Sequence, residues 1–440
     1  MKSRFPFVTL SVLVMISMLL GSCTPATPAN TPAATDTGDQ VLPEATPGSA
    51  EQTTIKVMSF FAYDAPSVEY GVVKAFQDAN PDISVQFEAV PYGDIFLKYK
   101  TLIAADLAPD VMSMNYDNAY LFATLGALEP LDEFITTTGY DTSKLFQSAL
   151  EMFKIDGVQF SMPATFSDVV LYFNKDLFDA AGLEYPQRDW TQEEFQAAAK
   201  ALTADTDGNG DIDQWGYSFP WWPMVLDQYG ATIWEGTTCT LNSPAGIKAI
   251  QSIVDGRFVG KFAPTADDLA EQGDWDMFIA GNLAMFPTGP WAVQPFNEKI
   301  TTFSWDIAHQ PAGDKQSTHI YANSYAMASG SKNKEAAWRF IEFATGPVGT
   351  KIRQDGKYEI SPVTAIAEEF YLAALAGAPP EHAIVFMEAM DYAKPQPVHT
   401  NWNKIHDSIA PELDLALIQD QSVKDALDNA CVGVNAALNP

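Results

Sequence analysis

Residues 54–115 alternate between strand-like and helix-like patterns, and this alternation limits the fold more than any other feature of the chain. The segments TIKVMSFF, ISVQFEAVP and VMSMN read as apolar strands, and helical patterns separate them. One face of the first helical pattern collects the apolar side chains Val68, Val72, Val73 and Phe76. A strand–helix–strand–helix–strand order predicts an α/β fold in which helices cover parallel strands.

The ends of these predicted strands carry aromatic and acidic side chains. Open α/β sheets bind ligands at the carboxyl ends of their strands, because those ends meet at one edge of the sheet. A Tyr lies beside or near an Asp in each of the segments FFAYD, VPYGD and SMNYDNAY. The side chains expected at a ligand site are therefore Tyr63, Asp64, Tyr92, Asp94, Tyr116 and Asp117.

Helix start and stop signals recur further along the chain. An apolar strand pattern at 169–173 leads through Asn174 into a short helix that Gly182 ends. Thr191 and Glu194 form a capping-box pattern, which predicts that a helix begins at Thr191. Strand and helix patterns continue from there, several helices are predicted at the C-terminus, and no repeat is present.

The first residues have the pattern of a secretory signal. Lys2 and Arg4 precede an apolar run at 5–20, and the small residues of LGSC end at Cys23. The pattern resembles a bacterial lipoprotein signal, with a signal peptide at 1–22 and a lipid on Cys23; the alternative is an ordinary signal with a chance cysteine.

A linker is predicted after the signal. Residues 23–53 begin with the lipidated cysteine and are rich in Pro, Thr and Ala, so they bury too little apolar surface to fold. We therefore expect an extracytoplasmic protein that a lipid anchors to a bacterial membrane.

The chain is strongly acidic, with a formal net charge of −31. Nucleic acids and anionic lipid surfaces attract proteins rich in Lys and Arg, so this charge argues against both as partners. No segment after the signal approaches the about 20 apolar residues that span a bilayer. Contact with the membrane is therefore expected through the N-terminal lipid only.

Cys239 and Cys431 are the cysteines that remain if Cys23 carries a lipid. Outside the cytoplasm such a pair can form a disulfide, and the alternative is two buried thiols. The sequence leaves both open, because it does not give the distance between the two Cα atoms.

Recognisable catalytic motifs are missing from the sequence. It has no Gly-x-Ser-x-Gly elbow, no phosphate-binding glycine loop ending in Lys-Ser/Thr and no His-Glu-x-x-His, and its histidines are scattered. We therefore expect that the protein is not an enzyme. Carboxylates are abundant, so a secreted glycosidase that uses a pair of acids stays an alternative.

The segment ADTDGNGDIDQWG resembles the calcium loop of an EF-hand. Its oxygen-bearing side chains at alternate positions are Asp205, Asp207, Asn209, Asp211 and Asp213. The twelfth position, which should be Glu, is Gly216, and the next residues read as extended, so a calcium sensor with paired helices is not expected. Two interpretations remain: a structural calcium site, or a metal-free turn whose side chains bond their own backbone. No other cofactor is expected.

Several tryptophans lie among Gly, Pro, Asn or Thr, in neighbourhoods typical of loops. They are Trp221, Trp222, Trp291 and Trp402, and any one of them can instead belong to a core. Sugars present apolar C–H faces and a rim of hydroxyls, which aromatic rings and Asp, Asn or Gln side chains can contact. Together with the tyrosines at the strand ends, these residues predict a cleft for a carbohydrate.

Segments spread over almost the whole chain resemble the maltose-binding-like, mostly sugar-carrying family of extracellular solute-binding proteins of bacterial ABC importers. In order, they are APDVM with LGALEPLDEFI, FSMPATFSDVVLYFNKDLFDAAGL, DWTQEEFQAAAKALT, AGNLAMFPTGPWAV and SKNKEAAWRFIEFATGPVGTKIRQDGKYEISPV. Each is weakly specific by itself, and their common order and spacing carry the resemblance.

The resemblance implies a two-lobed, type II periplasmic-binding-protein-like fold. Each lobe would be a mixed sheet flanked by helices, with the ligand cleft between the lobes and chain crossings near Ala164, Ile307 and Pro347. The solute-binding module then spans 54–440, with lobe I at about 54–163 and 307–346 and lobe II at about 164–306 and 347–440.

The resemblance also implies which tryptophans contact the ligand. The family's stacking Trp in a Gly-Pro-Trp turn matches Trp291, and a second stacking Trp after a Pro-rich segment is similar to Trp402. A further aromatic position matches Trp221 or Trp222, and the sequence does not choose between them.

Other implied contacts are Tyr116 with Asp117, after the APDV segment, and Ser167 or Asp168 at the crossover. As such a receptor, the protein would be a monomer that binds a small solute, most of all a sugar or oligosaccharide. It would deliver this solute to the permease subunits of an ABC transporter.

Two alternatives come from other classes of protein. One is the glycosidase-like enzyme, and the other is a calcium-dependent cell-surface adhesion module. The latter would need repeats or several acidic loops, and the sequence has one such loop.

Overall fold

The computed structural model describes residues 52–62, 67–356, 359–373 and 378–440. The chain divides into two compact units, 1–49 and 50–440, and the described residues belong to the second. The predicted signal, Cys23 and almost all of the linker lie outside the described residues, as do Tyr63 and Asp64. Within the described part, no helix is long and apolar enough to cross a membrane.

Strands and helices are numbered in chain order. The strands are β1 (Thr53–Ser59), β2 (Ile83–Ala89), β3 (Val111–Asn115), β4 (Lys154–Ile155), β5 (Val158–Gln159), β6 (Ser161–Asp168), β7 (Val170–Asn174), β8 (Trp234–Glu235), β9 (Thr238–Cys239), β10 (Met285–Thr288), β11 (Trp305–Ala308), β12 (Thr318–Met327) and β13 (Ala393–Pro395). The helices are α1 (Val68–Ala79), α2 (Tyr92–Ala104), α3 (Tyr116–Thr124), α4 (Asp132–Thr138), α5 (Gln147–Glu151), α6 (Lys175–Ala181), α7 (Gln192–Ala201), α8 (Trp222–Gln228), α9 (Pro244–Val254), α10 (Ala266–Glu271), α11 (Asp274–Ala280), α12 (Val293–Lys299), α13 (Lys334–Thr345), α14 (Pro347–Asp355), α15 (Thr364–Ala373), α16 (Val385–Ala389), α17 (Trp402–Leu417) and α18 (Val423–Leu438).

The larger sheet, called the main sheet, has the strand order β13-β12-β3-β1-β2, and β6 also pairs with β12. β1 runs parallel to both β2 and β3, so the parallel α/β arrangement predicted for residues 54–115 is confirmed. β12 runs antiparallel to β3 and β6 and parallel to β13, which makes the main sheet mixed. The second sheet, called the small sheet, is antiparallel in the order β10-β7-β11.

The central strand β1 is buried on both faces. Val57 packs in one core cluster with Val72 and Phe76 of α1, whereas Met58 faces a second cluster that contains Tyr99. Alternate side chains of a strand point to opposite faces, so an apolar run such as KVMSFF fits a strand that helices cover on both sides.

The chain passes between the two sheets at two neighbouring places. β6 ends at Asp168 and β7 begins at Val170, while β11 ends at Ala308 and β12 begins at Thr318. The Thr318 hydroxyl donates to the Val169 carbonyl at 2.6 Å, so the two passages lie side by side.

Two of the crossings expected from the sequence, near Ala164 and Ile307, fall in β6 and β11, a few residues before these passages. The third was expected near Pro347, where α14 packs against the helices α1 and α13. Pro347 is the first residue of α14, so the proline marks a helix start. The exact lobe limits stay a prediction.

Local signals set the helix ends that the sequence predicted. The Asn174 side chain accepts from the backbone N–H of Leu177 at the start of α6, and Gly182 ends that helix with a φ of 67°. The Thr191 side chain and the Glu194 carboxylate complete a capping box at the start of α7.

Cys239 and Cys431 form a disulfide, and their Cα atoms lie 5.4 Å apart. The bond joins β9 to α18, and both cysteines belong to one apolar cluster that also contains Ile250 and Ile409. The pairing that the sequence left open is therefore present.

A buried ion pair fixes α14 against α1. The guanidinium of Arg353 donates from Nε to Glu69 Oε2 at 3.0 Å and from Nη2 to Oε1 at 2.7 Å, and the two side chains are 2% and 3% exposed. The Tyr325 hydroxyl also donates to Glu69. The buried face of α1 therefore contains Glu69 in place of the predicted Val68, because the ion pair and its hydrogen bonds compensate the buried charge.

Replacing Arg353 by Met is expected to lower the free energy of unfolding by about 3–5 kcal/mol, because Glu69 would stay buried without its partner. Urea unfolding at neutral pH measures this loss. The double variant Glu69→Gln/Arg353→Met leaves no buried charge and should recover part of it. If the double variant is less stable than Arg353→Met, the loss does not come from the unpaired charge of Glu69.

Candidate functional site

An open cavity of about 890 Å³ is lined from two sides. One side, called the polar wall, belongs to the main sheet and its loops: Tyr92, Asn115, Tyr116, Asp117, Ser167, Asn323 and Glu359. The opposite side, called the aromatic wall, comes from β10, the turn after it, α8 and α17: Pro220, Trp221, Met224, Pro287, Trp291 and Trp402. Further lining residues include Phe60, Tyr321, Asn403 and His406.

The polar wall begins where β3 gives way to α3. The Asn115 side chain caps α3 by accepting from the backbone N–H of Asn118 at 3.3 Å, and its Nδ2 donates to the Tyr92 hydroxyl at 2.6 Å. This cap directs the first turn of α3, with Tyr116 and Asp117, towards the cavity. Asp117 Oδ1 is buried and has no hydrogen-bond partner among the described residues.

Asn323 and Glu359 form the adjoining part of the polar wall. β12 aligns Asn323 with Asn115 of β3 on one side and with Thr165 of β6 on the other. Its Nδ2 donates to Glu359 Oε2 at 3.2 Å and to the Thr165 hydroxyl at 3.3 Å. Glu359 is 7% exposed, so this carboxylate lies in a largely dehydrated part of the wall.

Burial raises the pKa of the two carboxyl groups in the polar wall. It raises the pKa of the Asp117 carboxyl, although the backbone N–H groups of Asp117 and Asn118 partly oppose this. Burial also raises the pKa of Glu359. Desolvation disfavours the charged form of each acid, and bound hydroxyl groups would supply the missing donors.

Trp291 owes its position to the Gly-Pro-Trp turn. A Cβ atom on Gly289 would lie 2.2 Å from Cζ3 of the Trp291 ring, so the ring can occupy this place only because residue 289 has no side chain. The buried Tyr172 hydroxyl donates to the Gly289 carbonyl at 2.7 Å and holds the turn against β7. The ring lies 6.0 Å from that of Tyr321, edge to face.

Trp221 and Trp402 form the rest of the aromatic surface. Trp221 is the residue before α8 and is 36% exposed, and its ring lies 6.4 Å from that of Trp402, the first residue of α17. Trp222 does not line the cavity, and it packs against the apolar cluster that contains the disulfide. The structure therefore selects Trp221 as the cavity residue of this pair.

The structure brings most of the residues expected at the site together. The described ones that line the cavity are Tyr92, Tyr116, Asp117, Ser167, Trp221, Trp291 and Trp402. Asp94, Asp168 and Trp222 do not line it, and Tyr63 and Asp64 lie outside the described residues. In the crossover pair Ser167 faces the cavity, and Asp168 is fully buried because neighbouring strand residues alternate in direction.

Sequence reasoning missed several lining residues, among them Phe60, Asn115, Asn323, Glu359 and His406. Phe60 and Asn115 stood at the predicted strand ends, so the same signal could have found them. Asn323 lies inside β12, and Glu359 follows a helix more than 200 residues after Tyr116, so no local pattern marks either as a neighbour of the site.

The acidic loop at 205–213 folds as a turn closed by a bridge between Ala204 and Gln214. Asp205 accepts from the backbone N–H groups of residues 208, 209 and 210, and Asp213 accepts from that of Thr206 at 2.8 Å. The carboxylates of Asp205, Asp207 and Asp213 also converge within 4.8 Å. No helix follows until α8, as the sequence indicated, so an EF-hand pair is excluded for this segment.

In a second place, two acids and an imidazole lie close together because they take part in ion pairs. Asp306, Glu381 and His382 lie within 4.8 Å of one another. His382 Nδ1 is 2.6 Å from Asp306 Oδ2, and Lys175 Nζ donates to Glu381 Oε1 at 3.2 Å. These contacts attach the segment after 378 to β11 and α6.

The cavity combines flat apolar rings on one side with carboxylate, amide and hydroxyl groups on the other. Aromatic faces and hydrogen-bond acceptors in this arrangement suit a ligand with apolar faces and a hydroxyl rim. The volume is within the range of about 300–1,000 Å³ that is usual for small-molecule sites.

Comparison with known proteins agrees with this geometry. The model of the bacterial extracellular solute-binding protein family matches residues 63–351. A binding protein of Brucella abortus (strain 2308) is 28% identical over 319 residues, which cover 70% of this chain and 75% of the relative. The galactooligosaccharide-binding protein of Bacillus subtilis (strain 168) is 25% identical over 373 residues, covering 81% and 83%.

A solved structure matches more fully. The ABC substrate-binding protein of Listeria monocytogenes, in complex with cycloalternan, superposes with a TM-score of 0.80 and 33% identity. The match covers 88% of this chain and 99% of that chain. The two-lobed fold that the resemblance implied is therefore confirmed.

The calcium interpretation of the acidic loop predicts one binding event in a calorimetric calcium titration, because three converging carboxylates need a counter-charge. Asp205→Ala or Asp207→Ala should abolish it. Asp211→Ala is the matched control, since the Asp211 carboxylate is not in the converging group. If calcium produces no binding heat in the unaltered protein, the interpretation of the loop as a metal-free turn remains.

Asp168 is expected to make stability depend on pH. Burial raises the pKa of its carboxyl well above the usual value, and neither oxygen has a partner among the described residues. The folded state then holds this proton more tightly than the unfolded state, so its contribution is present below the unfolded pKa and is lost as pH rises through the folded pKa.

Asp168→Asn removes this titration. The free energy of unfolding of the unaltered protein, minus that of Asp168→Asn, should therefore fall as pH rises from about 4 to about 8. Urea unfolding of both proteins across this range measures the difference. A difference that stays constant with pH would show that Asp168 does not titrate in this way.

Proposed function

The chain belongs to the family of bacterial extracellular solute-binding proteins, and from this premise we propose that it binds a sugar or oligosaccharide and delivers it to an ABC importer. The observation that carries the proposal is the pair of facing walls in the cavity. Trp221, Trp291 and Trp402 offer flat surfaces, and Asn115 and Asp117 offer polar groups across from them.

The relatives point to the same class of ligand. The Bacillus subtilis relative is named for galactooligosaccharides, and the Listeria monocytogenes structure is in complex with cycloalternan. The cavity of about 890 Å³ is consistent with more than one sugar ring. Which sugar binds follows from a thermal-shift panel, because a ligand at a hundredfold excess over its Kd stabilises the folded state by about 2.7 kcal/mol.

In the proposed mechanism, binding shifts the balance between an open and a closed arrangement of the lobes. A ligand that contacts both walls favours the closed arrangement, because only there are all of its contacts made. The segments that bend are the two passages between the sheets, at Val169 and at 309–317. The permease subunits of the transporter then recognise the closed form.

We also propose that the protein works as a monomer outside the cytoplasm and is attached to the membrane by a lipid on Cys23. The LGSC motif and the Pro-, Thr- and Ala-rich linker support this anchor. The linker would let the binding module reach both the solute and the transporter.

The family and the relatives are binding proteins, and we propose that this chain likewise performs no chemistry on its ligand. Asp117 and Glu359 are the carboxylates that a glycosidase interpretation would use. Incubation of the purified protein with a bound oligosaccharide should release no shorter sugar, and release that Glu359→Gln abolishes would support the enzyme alternative.

Trp291→Ala is expected to weaken sugar binding by about 1–3 kcal/mol, because a stacked aromatic surface is lost. Isothermal titration calorimetry measures the change. Trp190→Ala is the matched control: this half-buried ring stacks on Phe178, outside the cavity, and its loss should leave the affinity unchanged. Equal affinities for Trp291→Ala and the unaltered protein would remove Trp291 from the binding site.

A further inference from the structure

We infer that the cavity selects carbohydrates by charge: it accepts neutral sugar rings and rejects rings that carry a phosphate or a carboxylate, through Asp117 and Glu359. The inference rests on the proposed function, since it names the substrate class of the same site. Neither the family match nor the names of the relatives assigns a charge class to this chain.

The first observation is the sign of the charged groups at the cavity. Among the described lining residues there is no Lys and no Arg, whereas the lining contains the carboxyl groups of Asp117 and Glu359. His406 is the lining side chain, within the described part of the chain, that can gain a positive charge. An anionic ligand therefore finds no permanent cation in this lining.

The second observation is the burial of these groups: Glu359 is buried and Asp117 is half-buried. Asp117 Oδ1 is buried without a partner, and Glu359 is 7% exposed with Asn323 Nδ2 at 3.2 Å. When these carboxyl groups are ionised, they repel an anion more strongly than they would on an exposed surface, because the effective dielectric is lower. A sugar hydroxyl can donate to these oxygens, whereas a phosphate or carboxylate offers only further negative charge.

The third observation concerns the cations close to the polar wall, which other acids hold. Arg353 acts electrostatically on Glu359, but its guanidinium is directed at both oxygens of Glu69 and at the Ala344 carbonyl. Lys394, close to Gln396 in the chain, lies 3.8 Å from Asp227 Oδ1, outside the cavity. Moving either cation to a bound anion would break an existing ion pair.

Together these observations indicate that the site distinguishes neutral from anionic sugars in two ways: it attracts the hydroxyl groups of the first and repels the charge of the second. A binding site becomes specific when the wrong ligand meets unpaired like charge. Here a hydroxyl group of a neutral ring can donate to Asp117 Oδ1, which has no partner among the described residues, whereas an acidic substituent at the same place leaves this oxygen unsatisfied and adds repulsion.

The test uses pairs of sugars in which the two members share their ring skeleton and linkage, and one member carries acidic groups. α-1,4-linked galactotriose is compared with trigalacturonate, and maltotriose is compared with maltotriose phosphate, by calorimetry with the full mature chain at pH 8. At this pH an ordinary imidazole is neutral. The neutral member of at least one pair should bind, and its anionic partner should bind on the order of 100-fold more weakly.

Charge-neutral variants of similar shape identify the residues responsible. The measured quantity is the association constant of the neutral sugar divided by that of its anionic partner. This ratio should fall by roughly 10-fold in Asp117→Asn and in Glu359→Gln, and further in the double variant. Asp94→Asn is the matched control, because Asp94 is an exposed acid in the first turn of α2, near Tyr92, but does not line the cavity. Its ratio should stay that of the unaltered protein.

The outcomes separate this inference from the function on which it rests. If no sugar of these pairs or of the thermal-shift panel binds, the proposed function falls and the inference falls with it. If neutral and anionic partners bind equally well, or if the variants keep the original ratio, the receptor function stands and the charge selection is wrong. Because the ratio compares two ligands on the same protein, partial unfolding of a variant does not move it.

Discussion

The hydrogen bonds of β12 determine where the two sides of the cavity meet. This strand pairs with β6 along one edge and with β13 and then β3 along the other. Its register places Asn323 between Asn115 and Thr165, and the hydroxyl of its first residue, Thr318, holds the Val169 carbonyl at the passage to the small sheet. One strand thus positions the polar wall and connects it to the segment that leads to the aromatic wall. A shift of its register by one residue would turn Asn323 to the opposite face.

Buried charge is used in two ways in this protein. Glu69 and Arg353 satisfy each other in a fully formed ion pair, which fixes α14 to α1 and leaves nothing for a ligand. Glu359 is also buried and Asp117 is half-buried, but the described lining contains no Lys or Arg that could pair with either. A paired buried charge serves stability, whereas an incompletely satisfied one is available to a ligand that brings donors. This contrast is the physical basis for interpreting the cavity as a receptor for hydroxyl-rich solutes.

Local interactions explain which parts could be predicted. The capping box of Thr191 and Glu194 and the glycine end at Gly182 involve residues within a few positions of each other, so their sequence signals are direct. The strand ends with Tyr92, Tyr116 and Asp117 were predicted correctly as one edge, because parallel pairing brings such ends together. Pro347 is the first residue of α14, and because a proline can start a helix inside a lobe as well as at its boundary, it does not by itself locate a crossing.

The amino-acid sequence by itself determined the α/β order, the strand-end site, the helix caps and the Gly-Pro-Trp turn, since each depends on side chains close together in the chain. Only the tertiary structure decided that Trp221 rather than Trp222 faces the cavity, that Cys239 meets Cys431, and that Glu359 joins Asn323. Those choices depend on the direction of a side chain at a helix start and on contacts between distant segments. Chain packing sets both, and no local pattern encodes them.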